Sequence, residues 1–243
     1  MPEPEIDLTL FVACYNEEEN IAGTLDTAIA ACIEAGISFE IVIIDDASRD
    51  RSVEVINHYI QKHPDISIIL KVQSQNEGLG YNYAEAAFLG HGKWYRLVCG
   101  KNGEPADTLA TIFRQLGKAD IIIPYHPAGT AGRTWRRRFL SWAFTALVNT
   151  ISGHKLHYYN GLPVIRRDQV MRWHSNSRGF GFQADLLTKL LDRGTSYLEV
   201  PVRAAERKGG KSNALTNRNF LSVAHTLLTI FIRRVAKTLY GRN

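Results

Sequence analysis

The sequence predicts an α/β fold in which a mostly parallel sheet is flanked by helices. Short apolar segments alternate with helix-length segments throughout residues 1–125, and neither an internal repeat nor a low-complexity linker interrupts them. The segments between successive strands are long enough to contain the crossover helices that parallel strands require. This alternation therefore favours right-handed βαβ units within one sheet.

The first two strand–helix units show this pattern most clearly. Residues 8–13 are predicted to form a buried strand, followed by a helix over residues 17–35. Asn16 is the predicted cap of that helix, because Glu19 follows it with the spacing of a capping box. Residues 41–44 form a second, fully apolar strand, and residues 51–63 form the next helix.

The remaining elements are predicted from shorter signals. Three further strands are expected, at residues 66–72, 94–99 and 120–124, separated by helices at 78–90 and 106–116. Beyond residue 124 the sequence predicts helices at 134–151, 184–193 and 219–239, a strand at 196–202, and a basic loop at 205–217. Residues 154–182 show no clear periodicity.

Charge is distributed unevenly along the chain. Residues 1–132 contain 9 Lys/Arg and 19 Asp/Glu, whereas residues 133–243 contain 20 and 5. This asymmetry indicates an anionic partner, such as phosphate, a membrane surface or nucleic acid, for the second half. Nucleic acid is the weaker alternative, because no recognisable binding module accompanies the arginines. We therefore expect no nucleic-acid partner.

The composition also bears on the compartment. The first residues include three acids and lack the basic start of a secretory signal, and no apolar run reaches the length of about 18 residues needed to span a bilayer. The three cysteines show no metal-binding spacing, which is typical of a reducing compartment. We expect a cytoplasmic protein without a membrane span.

Two adjacent carboxylates follow the second strand directly. Asp45 and Asp46 end the apolar run of residues 41–44, and ligands of open parallel sheets bind at the carboxyl ends of strands. Adjacent buried acids repel each other and lose hydration, so they require donors, a cation or a ligand. Ribose hydroxyls and a base N–H would serve as donors. The alternative is an ordinary strand-to-helix turn, with Asp46 or Ser48 as an N-cap.

Several short blocks of sequence occur in order across residues 7–218. In the first half they are VACYNEEENI (12–21), DDASRD (45–50) and NEGLG (76–80). In the second half they are RRFLS (137–141), NG (160–161) and EVP (199–201), followed by Arg207, Gly210, Lys211 and Ser212. Together the blocks resemble the family-2 glycosyltransferases, and most of all their dolichyl- or polyprenyl-phosphate sugar transferases.

The resemblance implies a GT-A fold that transfers a sugar from a UDP- or GDP-sugar to a lipid phosphate. It also implies a single domain over residues 1–243. Within it, residues 1–124 would form the nucleotide-sugar half, 125–218 the basic acceptor-side extension, and 219–243 a C-terminal amphipathic helix. An envelope or glycan biosynthetic role at the inner face of the membrane follows from such an acceptor.

The resemblance also assigns a nucleotide pocket. Asp45 and Asp46 would contact the base and ribose, since carboxylates accept charge-assisted bonds from ribose hydroxyls. The other predicted pocket residues are Tyr15, Asn16, Glu17, Asn76 and Gly78. Packing in the core is the alternative for Tyr15.

The sequence departs from the family at the end of the fourth strand. The family normally has an Asp-x-Asp motif there, whose acids hold the ribose and a divalent cation. This chain has Cys99 and Lys101 at those places, or Gly100 and Asn102 if the alignment shifts by one residue. Glu104 is the remaining acid that could ligate a metal.

Three interpretations of this departure remain open. Lys101 could contact the diphosphate directly, so that no metal is needed. Glu104 and the diphosphate could still hold Mg²⁺ or Mn²⁺. The chain could also be a non-catalytic protein that binds nucleotide sugars.

Basic residues of the second half form the predicted acceptor side. Arg137 lies among Arg133, Arg136 and Arg138 at a helix start, where arginines oppose the helix dipole and an external anion would explain them. A solvated basic face is the alternative. Arg207 and Lys211 lie in a glycine-containing loop that we interpret as a lid over a phosphate.

Asp185 is the predicted general base if the acceptor is a hydroxyl. If the acceptor is a phosphate, no deprotonation is needed and Asp185 would orient basic side chains. A helix N-terminal acid that stabilises its own helix dipole is the alternative. The helix at 219–239 could lie on an anionic bilayer or pack in the core. An inverting hexosyltransferase acting on a lipid phosphate is the leading interpretation, with a hydroxyl acceptor as the second.

Overall fold

The computed structural model describes residues 5–127, 135–175, 181–203 and 217–241. The strands of this part of the chain are Leu8–Cys14 (β1), Phe39–Asp45 (β2), Ile68–Val72 (β3), Trp94–Cys99 (β4), Ile121–Tyr125 (β5), Val164–Arg166 (β6) and Tyr197–Pro201 (β7). Its helices are Ile21–Ala35 (α1), Ser52–Lys62 (α2), Leu79–Leu89 (α3), Ala106–Phe113 (α4), Trp135–Ser152 (α5), Arg167–Trp173 (α6), Phe182–Leu191 (α7) and Asn217–Tyr240 (α8).

All of these strands belong to one sheet, in the order β3-β2-β1-β4-β6-β5-β7. The pairings β3–β2, β2–β1, β1–β4 and β5–β7 are parallel, whereas β6 runs antiparallel to β4 and β5. The predicted α/β class with a mostly parallel sheet is therefore confirmed.

The central strands are buried on both faces, as their continuous apolar sequences require. Successive side chains of β1 point to opposite faces. Leu8, Leu10 and Val12 pack with α1, α2 and α4 on one face. Phe11 packs on the other face, in a cluster that includes Tyr83 of α3 and Phe182 of α7. Helices thus cover both faces of the sheet.

The predicted start of the first helix is wrong. α1 begins at Ile21, and Asn16 does not cap it, because Asn16 has a left-handed backbone with φ 54°. The N–H of Asn16 donates to Ser48 Oγ at 2.8 Å, and the N–H of Glu17 donates to Ser52 Oγ at 2.8 Å. These bonds hold residues 16–20 as a loop against the segment after β2, so they do not extend the helix.

One strand and one helix lie where the sequence shows no periodicity. β6 contains three residues, and α6 follows it immediately at Arg167. Both are too short for a period to emerge from the sequence. β6 nevertheless joins β4 to β5, so the short segment connects the two halves of the sheet.

Candidate functional site

The carboxyl ends of β1, β2, β3 and β4 lie side by side at one edge of the sheet. Cys14 is in register with Asp45, Asp45 with Val72, and Ala13 with Cys99. The last residue of β2, Asp45, and the loops that follow β1, β2 and β3 contain every nucleotide-pocket residue that the sequence predicts. The structure therefore brings these loops together, as expected for an open α/β sheet.

Asp45 faces inward at this edge and has no exposed surface. Its Oδ1 accepts from the N–H of Ser48 at 2.9 Å, and its Oδ2 accepts from the Ser48 hydroxyl. Ala47, between them, has a left-handed backbone with φ 64°. Both carboxylate oxygens thus fix a tight turn. The geometry assigns Asp45 to the turn, and its contact with the base or ribose of a ligand stays a prediction.

Asp46 connects two loops of the site and is 8% exposed. Its Oδ1 and Oδ2 accept from the N–H groups of Glu77 at 2.8 Å and Gly78 at 3.1 Å. The amide of Asn76 donates to the Asp46 carbonyl at 3.3 Å. Gly78 has φ 89°, a conformation that favours glycine. Asp46, Asn76 and Gly78 thus form one unit that closes the site beside β3.

The loop after β1 forms the opposite wall. Tyr15 is 46% exposed, so the core-packing alternative for this residue is wrong. Asn16 Oδ1 accepts from the N–H of Arg49 at 2.8 Å, and Glu17 Oε2 accepts from the Asn20 amide at 3.0 Å. These bonds attach the wall to its neighbours, and the ring of Tyr15 remains exposed.

Ser48, Asp50 and Ser52 hold this wall in place, a role that sequence reasoning missed. Asp50 accepts from the Ser52 hydroxyl at 2.6 Å and from the N–H of Glu18 at 3.1 Å. Burial alone would raise the pKa of Asp50, but these hydrogen bonds outweigh it and lower the pKa. The repeated serine and aspartate residues in DDASRDRS were the available signal.

The loop after β4 carries Lys101 into the site. The N–H of Gly100 donates to the Ala13 carbonyl at 2.9 Å, which ties this loop to the first strand. Lys101 follows directly, with an exposed side chain whose Nζ lies 3.8 Å from Glu17 Oε1. Asn102 donates its N–H to Thr24 Oγ1 at 2.9 Å and so attaches the loop to α1.

Glu104, the predicted metal ligand, forms an ion pair. Arg96 Nη2 lies 2.6 Å from Glu104 Oε1, and Nη1 lies 3.3 Å from Oε2. Arg96 is completely buried in β4, and its Nε donates to the Leu162 carbonyl at 3.1 Å. Sequence reasoning missed Arg96, although an arginine within the apolar strand WYRLVC was a visible signal. Glu104 therefore compensates a buried charge.

Asp185 also forms ion pairs. Its Oδ1 lies 2.6 Å from Arg233 Nη1, and its Oδ2 lies 2.9 Å from Lys189 Nζ. Burial alone would raise the pKa of Asp185, but these two cations outweigh it and lower the pKa. A carboxylate held this way is a poor proton acceptor, so the geometry does not favour the predicted general base.

The side chains of most predicted phosphate-binding residues lie outside the described part of the structure. Arg207, Lys211 and Ser212 lie outside the described residues, as does Arg133. Arg136 and Arg137 belong to α5, but their side chains are outside the described part. Arg138 is exposed on the same helix. The roles of Arg137, Arg207 and Lys211 therefore stay predictions.

Helices α5 and α8 pack together and expose apolar side chains. On α5 they include Trp135, Phe139 and Trp142, and on α8 they include Leu228, Phe231, Ile232, Val235 and Leu239. The α8 residues follow the spacing of a single helical stripe. We call these eight residues the apolar face. Among the described residues, no helix has the length and hydropathy to cross a membrane.

Curated relatives share moderate sequence identity with this chain. An undecaprenyl-phosphate 4-deoxy-4-formamido-L-arabinose transferase of Edwardsiella ictaluri is 24% identical over 218 residues, 84% of this chain and 62% of the relative. A dolichyl-phosphate beta-glucosyltransferase of Trichomonas vaginalis is 24% identical over 217 residues, which are 82% of this chain and 64% of that relative. A polyprenol monophosphomannose synthase of Mycolicibacterium smegmatis is 25% identical over 214 residues, which are 84% of this chain and 79% of that relative. The chain thus spans about three fifths of the first two.

Solved structures share the fold. Glucosyl-3-phosphoglycerate synthase of Mycobacterium tuberculosis, in complex with Mg²⁺ and UDP, matches with a TM-score of 0.68 and 13% identity over 93% of this chain and 79% of that one. A mannosyltransferase of Pyrobaculum calidifontis, in complex with GDP-Man and Mn²⁺, matches with a TM-score of 0.61 and 16% identity over 100% and 77%. These matches show a GT-A type fold.

A family model supplies the assignment. The model described as glycosyl transferase family 2 matches residues 9–173, which include β2 to β6, all of β1 except its first residue, and every described loop of the site. This match covers more than half of the chain. The protein therefore belongs to glycosyltransferase family 2.

Proposed function

We propose that this chain transfers a sugar from a UDP- or GDP-sugar to a polyprenyl phosphate, and that it does so at a membrane surface. The relatives with matching sequence are named for undecaprenyl-phosphate, dolichyl-phosphate and polyprenol acceptors. Two of the structures with the same fold were solved with UDP and with GDP-Man. The edge where the loops after β1 to β4 meet is the expected donor site.

The state of Asp185 is the observation that favours a phosphate acceptor. A hydroxyl acceptor needs a base, and the residue predicted for that role forms ion pairs with Arg233 and Lys189. A lipid phosphate is already anionic at neutral pH and needs none. Its oxygen would form a bond to the anomeric carbon while the bond from that carbon to the diphosphate breaks. The electron pair leaves with the nucleoside diphosphate, and the anomeric configuration inverts.

Transfer assays with matched acceptors test this proposal. Undecaprenyl phosphate and undecaprenol, each in vesicles, would be incubated with the chain and a panel of UDP- and GDP-sugars. We expect mass spectrometry to detect a glycosylated lipid with the phosphate acceptor alone. Product with undecaprenol would instead support a hydroxyl acceptor. The absence of product with all donors, despite nucleotide binding, would favour the non-catalytic interpretation.

The orientation of α8 supports attachment to a membrane. Arg233 and Lys237 point inward, where Arg233 pairs with Asp185 and Lys237 donates to the Asp192 carbonyl at 3.1 Å. The apolar stripe of the same helix is exposed, which reverses the usual arrangement of a surface helix. Arg138 and Arg234, both exposed on the paired helices, would attract anionic headgroups. The apolar face therefore fits a bilayer with anionic lipid.

Vesicle sedimentation tests the membrane contact. Phe231→Ser with Ile232→Ser should weaken binding to vesicles that contain phosphatidylglycerol, because two exposed apolar side chains of the apolar face are lost. Ile33→Ser is the matched control, since Ile33 is an exposed apolar residue on α1, outside that face. Equal binding by the double variant and the control would contradict a membrane role for this face.

A further inference from the structure

We infer that Lys101, rather than a divalent cation, compensates the charge of the donor diphosphate. This inference rests on the proposed function, because it assumes that a nucleoside diphosphate binds at the edge formed by β1 to β4. Two of the related structures hold Mg²⁺ or Mn²⁺ together with their nucleotides. The residues of this chain do not fit such an ion, for the reasons that follow.

The buried carboxylates at this edge, those of Asp45, Asp46 and Glu17, already have partners. Asp45 accepts from Ser48, and Asp46 accepts from two backbone N–H groups. Glu17 accepts from the Asn20 amide. Within the described residues, no three acids, histidines or cysteines are grouped so that they could hold a metal. A cation would therefore have to compete with the hydrogen bonds that shape the site.

Glu104 is the acid least able to change partner. The guanidinium that it pairs with belongs to Arg96, which has no exposed surface. Removing one partner of a buried ion pair leaves an uncompensated charge in a region of low dielectric. If Glu104 turned toward a metal, Arg96 would be left in that state. The Arg96–Glu104 pair therefore keeps the last acid of the loop away from a metal.

Lys101, unlike Glu104, is exposed and has no close ionic partner among the described residues. Its side chain is 68% exposed, and its loose contact with Glu17, at 3.8 Å, leaves Nζ able to reach an anion. The preceding Gly100 holds the loop against β1, because its N–H donates to the Ala13 carbonyl at 2.9 Å. This close approach requires glycine, since a Cβ there would lie 2.8 Å from the same carbonyl oxygen. An ammonium is an effective point charge for phosphate. It would also repel a divalent cation placed beside it, so the lysine and a metal are alternatives.

Calorimetric titration of UDP, GDP and uridine tests this inference without a transfer assay. Each ligand would be titrated in Mg²⁺, in Mn²⁺ and in EDTA. We expect UDP or GDP to bind, and we expect its affinity to differ less than about threefold between Mg²⁺, Mn²⁺ and EDTA. Lys101→Met should weaken that binding about ten- to hundredfold, the effect of losing one charge-assisted contact, and leave the binding of uridine unchanged. Lys93→Met, an exposed lysine at the other end of β4, is the matched control.

The outcomes separate this inference from the proposed function. A diphosphate that binds wild-type protein more than about tenfold tighter with Mg²⁺ or Mn²⁺ than in EDTA would overturn the inference and leave the donor assignment intact. An unchanged affinity of Lys101→Met for the diphosphate would also overturn the inference and leave the donor assignment intact. If neither UDP nor GDP binds under any condition, both proposals fail. The double variant Cys99→Asp/Lys101→Asp should lose diphosphate binding in EDTA, and full retention there would also overturn the inference.

Discussion

Arg233 Nη1 lies 2.6 Å from Asp185 Oδ1, so one ion pair joins two helices whose paired residues are 48 positions apart. Asp185 lies in the first turn of α7, and Arg233 lies in the second half of α8. Arg233 also approaches Asp192 at 3.4 Å, at the end of α7. The position of α8, and with it the exposure of the apolar face, therefore depends on buried charge.

Replacing Asp185 should destabilise the protein. Asp185→Asn removes a buried carboxylate and leaves Arg233 without its closest acidic partner. Breaking a buried ion pair costs about 3 kcal/mol or more. Urea denaturation would measure the fall in the free energy of unfolding. Asp168→Asn is the control, because Asp168 pairs with Arg166 at the exposed surface. The control should be nearly unchanged. A loss no larger than that of the control would contradict the role assigned to Asp185.

The same carboxylate predicts how stability depends on pH. Because the pKa of Asp185 is lowered in the folded protein, its contribution to stability is complete well above the ordinary value of 3.8. The contribution is lost as the pH falls through the lowered pKa. Urea denaturation of wild type and Asp185→Asn between pH 7 and about pH 3 should show their difference shrinking below about pH 4. A difference that stays constant to the lowest pH would refute this.

Two glycines of one loop should respond differently to alanine. Gly100→Ala places a Cβ 2.8 Å from the Ala13 carbonyl oxygen, so the strand ends must separate. We expect a loss of about 1–3 kcal/mol in the free energy of unfolding and weaker nucleotide binding. Gly103→Ala is the matched control, because nothing lies within 4 Å of the added Cβ. Thermal denaturation with and without UDP would compare them, and equal behaviour would argue against the tight contact.

Asp45 should matter for folding before it matters for binding. Asp45→Ala leaves the N–H and hydroxyl of Ser48 without their buried acceptor, which predicts a loss of about 1–3 kcal/mol in stability. Asp65→Ala, an exposed acid between α2 and β3, should have almost no effect. Chemical denaturation measures both variants. A fully stable Asp45→Ala variant that has lost nucleotide binding would favour the direct ligand contact expected from sequence.

Strong local signals made much of the fold predictable. β1, β2 and β4 are buried, mostly apolar strands of six or seven residues, and their predicted ends lie within two residues of the observed ends. β6 was missed because its three residues are stabilised by pairing with β4 and β5, which no local pattern reveals. The start of α1 was wrong because side chains 32 or more residues away hold residues 16–20 in a loop.

The sequence was sufficient to predict that the residues of the candidate site come together, but not the contacts that each of them makes. Parallel topology alone places the loops after β1 to β4 together. The difference between Asp45 and Asp46 depends on which way each side chain points after the strand ends, and the sequence shows only that both are aspartates. The engagement of Glu104 depends on Arg96, eight residues away in the interior of β4. Such pairings require three-dimensional coordinates.

The antiparallel strand β6 has a consequence for engineering and for recombination between relatives. It is the one described strand that joins β4, and with it β1 to β3, to the β5–β7 pair, and it comes from sequence well beyond residue 125. A chimera with its junction after β5 would take the neighbours of β4 and β5 from a different parent. Exchange of acceptor specificity should therefore succeed when Val164–Arg166 is kept with the strands it pairs with. Junctions would be better placed in loops than between the apparent halves.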